Sequence, residues 1–281
     1  MVTFHMLGRY GELGNQLFQI AATTALARRN KTTAVFPKWI CGKQLKTYSR
    51  ILKTPLNETL DNSNISYVFK EKAHNYEEIP FTENMSLEGY FQSELYFKDS
   101  EDYIRSELFV PSDEITNILN ERYANIISAN DTVAVHVRTQ TRSKDDDPVN
   151  HIPPPTEYLQ KAFNEFGKNY RYIIFSDNIQ LVKKWFKDYD FTFIDNEQAC
   201  DNTHSGIVTD MPYYSNVLEL FLMSKCKHNI LTSSTFGWWG AWLNNNKDKR
   251  VVAMEENMWF GKNLNLNLST FLPQTWTKIK I

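Results

Sequence analysis

No stretch of this 281-residue chain holds the roughly 18 consecutive apolar residues that a membrane-spanning helix needs. The expectation is a chain without signal peptide, anchor or transmembrane stem, working in the cytoplasm. Cysteine is scarce: Cys41, Cys200 and Cys226 are three, odd in number and without metal-type spacing, which argues against a disulfide framework and suits reduced thiols. Neither sign of charge dominates. Lys and Arg total 31 against 33 Asp and Glu, a net charge of −2, so nothing draws the whole chain toward nucleic acid or an anionic membrane. Any phosphate ligand must then be held by local groups. Low-complexity linkers and internal repeats are missing too.

What is present is a globular composition, 42% hydrophobic and 23% charged, long enough for one large domain or two modest ones. Aromatics reach 14%, which serves a core as readily as an aromatic-lined site. Val2–Leu7 alternates like a strand and runs through a glycine-rich turn into a helical pattern over Gln16–Arg29. Short strand-like pieces follow at Ile65–Phe69 and Glu88–Gln92, and the spacing predicts a helix over Ser112–Tyr123. From Thr132 the pattern is regular: strands at Thr132–Val137, Arg171–Phe175, Phe191–Ile194, His228–Leu231 and Arg250–Met254. Helical patterns lie between them at Thr156–Phe166, Asn178–Lys187 and Ser215–Ser224, with a short helix after Thr235. Such alternation predicts parallel βαβ units, hence a Rossmann-like half over 131–281 behind an N-terminal α/β domain over 1–130.

Ligands of open α/β sheets sit beyond the C-terminal strand ends, so the residues just after each strand are the candidates. At the first such end, His136 and Arg138 share a face, and an Arg fork suits a diphosphate while a His suits a base or ribose. A surface Arg beside a half-buried His is the plainer alternative. Asp177, opening the next helix, is either an ordinary N-cap or an acceptor for a nucleoside. Ser233, Ser234, Thr235 and Phe236 sit where a helix N-terminus favours a phosphate. Trp238 and Trp242 then share one helical face with Trp239 turned from it, so the tryptophans read as packing and the small residues as chemistry. Gly8, Gly11 and Gly14 are spaced G-x-x-G-x-x-G, neither a dinucleotide fingerprint nor a P-loop, which weakens a kinase or NTPase reading; the turn does bring Gly14 and Asn15 to a helix start. Asp145-Asp-Asp147 contains a D-x-D, the pattern metal-dependent glycosyltransferases use, but three acids in "SKDDDP" also make an ordinary solvated loop.

Together these blocks resemble the α-1,2-fucosyltransferase family, glycosyltransferase family 11. "GELGNQLFQIA" (Gly11–Ala21) is similar to its G-x-x-G-N-Q-L-F-Q-Y-A block, "EGYFQSELYF" (Glu88–Phe97) to its G-Y-F-Q-S segment, and "FSDNIQLVKKWF" (Phe175–Phe186) to its S-D-D block. "LELFLMSKCKHNILTSSTFGWWGAWL" (Leu218–Leu243) follows the family almost letter by letter. One block departs. The family's H-x-R-R-G-D reads His136-Val-Arg138-Thr139-Gln140-Thr141, so the first Arg stays while the second Arg and the Asp are threonines.

The resemblance implies a GT-B-like pair of Rossmann-like halves with a cleft between them, and an inverting transferase using GDP-β-L-fucose on an acceptor glycan without a metal or other cofactor. By the same resemblance Arg138 meets the diphosphate, Ser233 to Phe236 cradle it, and His136 and Asp177 address guanosine. Asn15 reaches the fucose or diphosphate. Counting from the first Arg, as in a related α-1,6-fucosyltransferase, puts the catalytic base at Asp146. Two alternatives stay open: another GDP-sugar donor, and a non-catalytic relative that binds a nucleotide sugar or glycan.

Overall fold

The structure is a computed structural model that describes residues 1–41, 46–48, 50–139, 153–195, 215–260 and 266–281. It divides into two compact units, Met1–Thr116 with Leu266–Pro273, and Asn117–Asn265 with Gln274–Ile281. The division thus falls ahead of the expected boundary at 130. Leu266–Pro273 belongs to the first unit because Thr270 is bonded there: its carbonyl accepts the Ser93 hydroxyl at 2.6 Å and its hydroxyl accepts the Tyr76 N–H at 2.7 Å.

In the first unit, β1 (Val2–Thr3) leads through the glycine turn into α1 (Leu13–Arg29) and then β2 (Ala34–Val35), followed by the short hairpin strands β3 (Ile40–Cys41) and β4 (Lys46–Thr47). Further on come β5 (Tyr67–Lys70) and β6 (Met85–Glu88), and the four parallel strands run in the order β2-β1-β6-β5. α1 is buried from Leu13 through Ala27 apart from half-buried Asn15, which explains its run of Ala, Leu and Ile. The strand expected over Val2–Leu7 stops at Thr3, because Leu7 and Arg9 fold back onto the carbonyls of Phe4 and Met6. The strand expected over Glu88–Gln92 lies instead at Met85–Glu88. Beyond it, the N–H groups of Tyr90 and Phe91 turn to the Glu71 carboxylate, at 2.6 and 2.9 Å, instead of to a neighbouring strand.

The one-turn α2 (Glu101–Tyr103) and the longer α3 (Asp113–Ile127) carry the chain onward, and the division between units falls inside α3. In the second unit β7 (Thr132–Val137), α4 (Thr156–Asn164), β8 (Arg171–Ser176), α5 (Ile179–Trp185) and β9 (Thr192–Phe193) make two βαβ steps. α6 (Ser215–Lys225), β10 (His228–Leu231), α7 (Thr235–Trp242), β11 (Val251–Met254) and β12 (Thr277–Ile279) follow. All six strands are parallel, in the order β12-β11-β10-β7-β8-β9. This is the doubly wound 3-2-1-4-5-6 arrangement counted from β7. Every residue of β7 and β10 is buried, as expected of strands covered on both faces, the polar Thr132, His136, His228 and Asn229 included. α4 buries Tyr158, Leu159 and Ala162, and the Tyr158 hydroxyl donates to the Leu231 carbonyl at 2.5 Å, tying helix to sheet.

From Gly237 to Trp242 α7 is buried on all sides: Trp238 and Trp239 are fully inaccessible and Trp242 is 1% exposed. Trp238 and Trp242 stack with ring centroids 6.0 Å apart, and Trp239, expected to be turned from them, packs edge-on against both at 5.1 and 5.3 Å, because positions three apart on a helix are neighbours. A helix apolar all round has no solvent side to offer. Among the described residues no helix is long and apolar enough to cross a membrane.

Candidate active site

The order of the second sheet reverses between β7 and β10, and ligands of such sheets bind outside the strand ends at this reversal. The residues leaving β7, β8 and β10 are neighbours there, because Leu231 pairs with His136 and Val137 with Ser176. The sheet thereby assembles three of the sequence blocks at one edge.

The backbones of the β7 and β10 exits are laced together. The Thr232 N–H donates to the His136 carbonyl at 3.2 Å, and the Arg138 N–H donates to the Thr232 hydroxyl at 2.8 Å. On the other side, Asp177 from the β8 exit is held by Thr139. Its Oδ1 accepts the Thr139 N–H at 2.8 Å and the Thr139 hydroxyl at 2.9 Å, while Oδ2 faces Arg138 Nη1 at 3.2 Å. Burial works to raise the Asp177 carboxyl, but the Thr139 N–H, the Arg138 guanidinium, the Thr139 hydroxyl and the His136 ring outweigh it and hold it below the ordinary value. The N-cap of α5 is not Asp177 but the next residue, Asn178, whose side chain accepts the Leu181 N–H at 3.1 Å.

His136 lies deeper than the sequence suggested. It is 4% exposed and covered by the start of α7, with the Phe236 ring centroid 5.6 Å away. Burial, opposed by Asp177 and helped by Arg138, pushes the ring down to about 4, so it is neutral at pH 7. Its Nδ1 is buried without a hydrogen-bond partner among the described residues. Ser234 caps α7, accepting the Phe236 N–H at 3.3 Å; Ser233 and Ser234 are buried and Thr235 and Phe236 half-buried. The turn therefore shows a capped helix start beside the Arg138 backbone anchor.

In the first unit the glycine turn is folded onto α1 by side-chain amides. Gln16 Nε2 donates to the Gly11 carbonyl at 2.9 Å, and Gln16 Oε1 accepts the Trp39 indole N–H at 2.7 Å; Gln19 Nε2 donates to the Tyr10 carbonyl at 3.0 Å. Gly14 is buried in the first turn of α1, and half-buried Asn15 accepts from Gln92 Nε2 at 2.9 Å. Gln92 and Glu71, which burial pushes up in spite of its two backbone hydrogen bonds, were missed in the sequence reading. The signal for Gln92 was its place in the G-Y-F-Q-S segment. Thr232 was also missed, although it is the first residue after a strand. Asp146 and the D-x-D at Asp145–Asp147 lie outside the described residues. Among those residues no three His, Cys, Asp or Glu side chains gather as a metal site would need.

In doubly wound sheets this edge is where nucleotide ligands bind. The model of "Glycosyl transferase family 11" matches residues 6–279, and the chain belongs to that family. It is 27% identical over 320 residues to the O-antigen biosynthesis glycosyltransferase WbnK of Escherichia coli, covering 96% of this chain and 98% of that protein. It is 26% identical over 200 residues to an alpha-1,2-colitosyltransferase of Escherichia coli, covering 68% of this chain and 61% of the relative. Among solved structures, the NodZ alpha-1,6-fucosyltransferase soaked with GDP-fucose shares the fold with a TM-score of 0.55 at 14% identity, over 92% of this chain and 95% of that one. POFUT1 in complex with GDP does so with a TM-score of 0.54 at 12% identity, over 90% and 97%. The fold is that of GT-B-like fucosyltransferases, and the protein is a glycosyltransferase.

Proposed function

We propose that this glycosyltransferase moves L-fucose from GDP-β-L-fucose to a hydroxyl of an acceptor glycan with inversion, as an α-1,2 linkage to galactose. The acceptor oxygen bonds to the anomeric carbon as the bond from that carbon to the β-phosphate oxygen breaks; GDP leaves and the hydroxyl proton passes to a base, for which Asp146 is the candidate. Negative charge grows on the departing phosphate, and a guanidinium and helix N-terminal N–H groups already in place are the groups that stabilise it, each worth roughly 10²–10³ in rate. The observation that carries this reading is Arg138, anchored on Thr232 beside the capped start of α7 at the reversal of the sheet. Such a donor set neutralises the leaving group without a metal.

A second reading keeps the chemistry and changes the sugar. Thr139 stands where the family carries a second Arg, and one relative is named for colitose. Incubation with GDP-fucose, GDP-mannose and a panel of galactose-terminated acceptors, read by GDP release, separates the two. Turnover of GDP-fucose on a galactoside with a new bond at O2 is the expected result. No GDP-fucose turnover with any acceptor ends the first reading.

A further inference from the structure

We propose that Asp177 and Thr139 are positioning residues for Arg138, so that the threonine replacing the family's second arginine sets the place of the first. The inference rests on Arg138 being the diphosphate contact. Asp177 offers two oxygens and the structure assigns both. Oδ1 takes the N–H and the hydroxyl of Thr139, at 2.8 and 2.9 Å, and Oδ2 takes Arg138 Nη1 at 3.2 Å. The Arg138 and Asp177 side chains are 19% and 17% exposed, far enough from water for the pairing to be directional. With the Arg138 N–H on the Thr232 hydroxyl, the arginine is fixed at main chain and side chain by two different strand exits.

Register explains why a threonine serves. Val137 pairs with Ser176, so the residues leaving β7 and β8 face each other at short range, and a two-carbon side chain reaches the Asp177 carboxylate. An arginine at 139 has no hydroxyl to give Oδ1 and brings a second positive charge to the same carboxylate, in competition with Arg138. Thr139 instead bonds Asp177 without drawing charge from the pair, and the carboxylate stays ionised with both partners in place. A guanidinium already aimed costs less to organise when charge develops on the phosphate, and misplacement by about 1 Å costs up to ~10²-fold.

The test uses the full chain and the variants Thr139→Val, Thr139→Ser, Asp177→Asn, Arg138→Ala and the Asp177→Asn, Arg138→Ala double variant. Calorimetric GDP binding, GDP-fucose transfer kinetics and thermal midpoints are measured for each. Thr139→Val keeps the N–H and loses the hydroxyl; it should lower kcat about tenfold with KM and thermal midpoint nearly unchanged, and Thr139→Ser should restore it. Asp177→Asn should lose about 10²-fold in kcat but nothing further in the Arg138→Ala background, since its effect runs through Arg138. Should Asp177→Asn not fold, the Thr139→Val and Thr139→Ser pair decides. Losses that multiply in the double variant would assign Asp177 to the nucleotide and overturn the inference, as would wild-type kinetics in Thr139→Val. A wild-type protein that neither binds GDP nor turns over a GDP-sugar ends the donor reading and this inference with it; one that does both, with Arg138→Ala impaired and the other variants unaffected, ends this inference alone.

Discussion

Gly237 lies against the ring of His136, so close that a Cβ added there would sit 2.9 Å from Cγ and 3.0 Å from Nδ1. The first turn of α7 can settle on the β7 exit only because this residue is a glycine. Gly237→Ala should force the ring or the helix apart, at a cost of about 1–3 kcal/mol in stability. It should also weaken GDP binding, because Ser234 to Phe236 move with the helix. Chemical denaturation and calorimetric titration with GDP check this; a variant equal to wild type in both would mean that helix and ring yield freely.

The same enclosure makes stability depend on pH. A buried imidazole pushed down to about 4 stays neutral while the unfolded chain binds a proton near its ordinary value of about 6.5. Stability is then full above about pH 6.5 and falls as the pH drops toward 4, by about 1.4 kcal/mol for each unit of depression. His228, likewise pushed down to about 4 by burial beside Arg250 and Lys227, acts in the same window. Urea midpoints from pH 7.5 to 4.5 should fall, and more shallowly in His136→Gln. An identical slope in that variant would remove His136 from the account.

The doubly wound sheet was legible in the sequence because short strand-like segments such as Thr132–Val137 and His228–Leu231 alternate with helical patterns at regular spacing. β12 escaped because Thr277–Ile279 is an edge strand with only Ile279 buried, so it shows no apolar pattern. The candidate site was legible as blocks but not as contacts. That Thr139 holds Asp177 depends on the register of β7 against β8, which no spacing along the chain encodes. The departure from the family signature marked Thr139 as different, and only the third dimension gave it a partner. The place of Trp239 was misjudged for a different reason: it was set apart by its step from Trp238, while its i,i+3 spacing to Trp242 brings it into the same enclosed cluster.

In the first unit, Gly11 has φ +72° and a Cβ there would run into the Asn15 side chain. Gly11→Ala meets both a left-handed backbone, at about 1–2 kcal/mol, and a displaced amide. Transfer should suffer more than folding: about a tenfold loss in kcat/KM with a thermal midpoint lowered by a few degrees. If the midpoint collapses while the folded fraction keeps full activity, Asn15 has no part in transfer.

On the proposed reading, Arg138 and the start of α7 carry the leaving charge without a cation. Transfer measured after dialysis against EDTA should match the untreated enzyme. A loss restored by Mn²⁺ would move charge neutralisation to Asp145 and Asp147 and make the D-x-D the working element.

The tryptophans of α7 separate scaffold from chemistry. Trp238 touches Trp239, Trp242 and Trp276, with centroids 5.1, 6.0 and 5.4 Å away, and is fully buried. Trp238→Ala should cost about 3–5 kcal/mol of stability, as a large core truncation does. Ser234→Ala should instead spare most of the fold, losing about 1 kcal/mol from the cap, and weaken GDP binding. Denaturation midpoints and GDP titrations on both variants distinguish the roles. A Trp238→Ala protein with wild-type stability and a selective loss of acceptor affinity would place the aromatic cluster in the binding site itself.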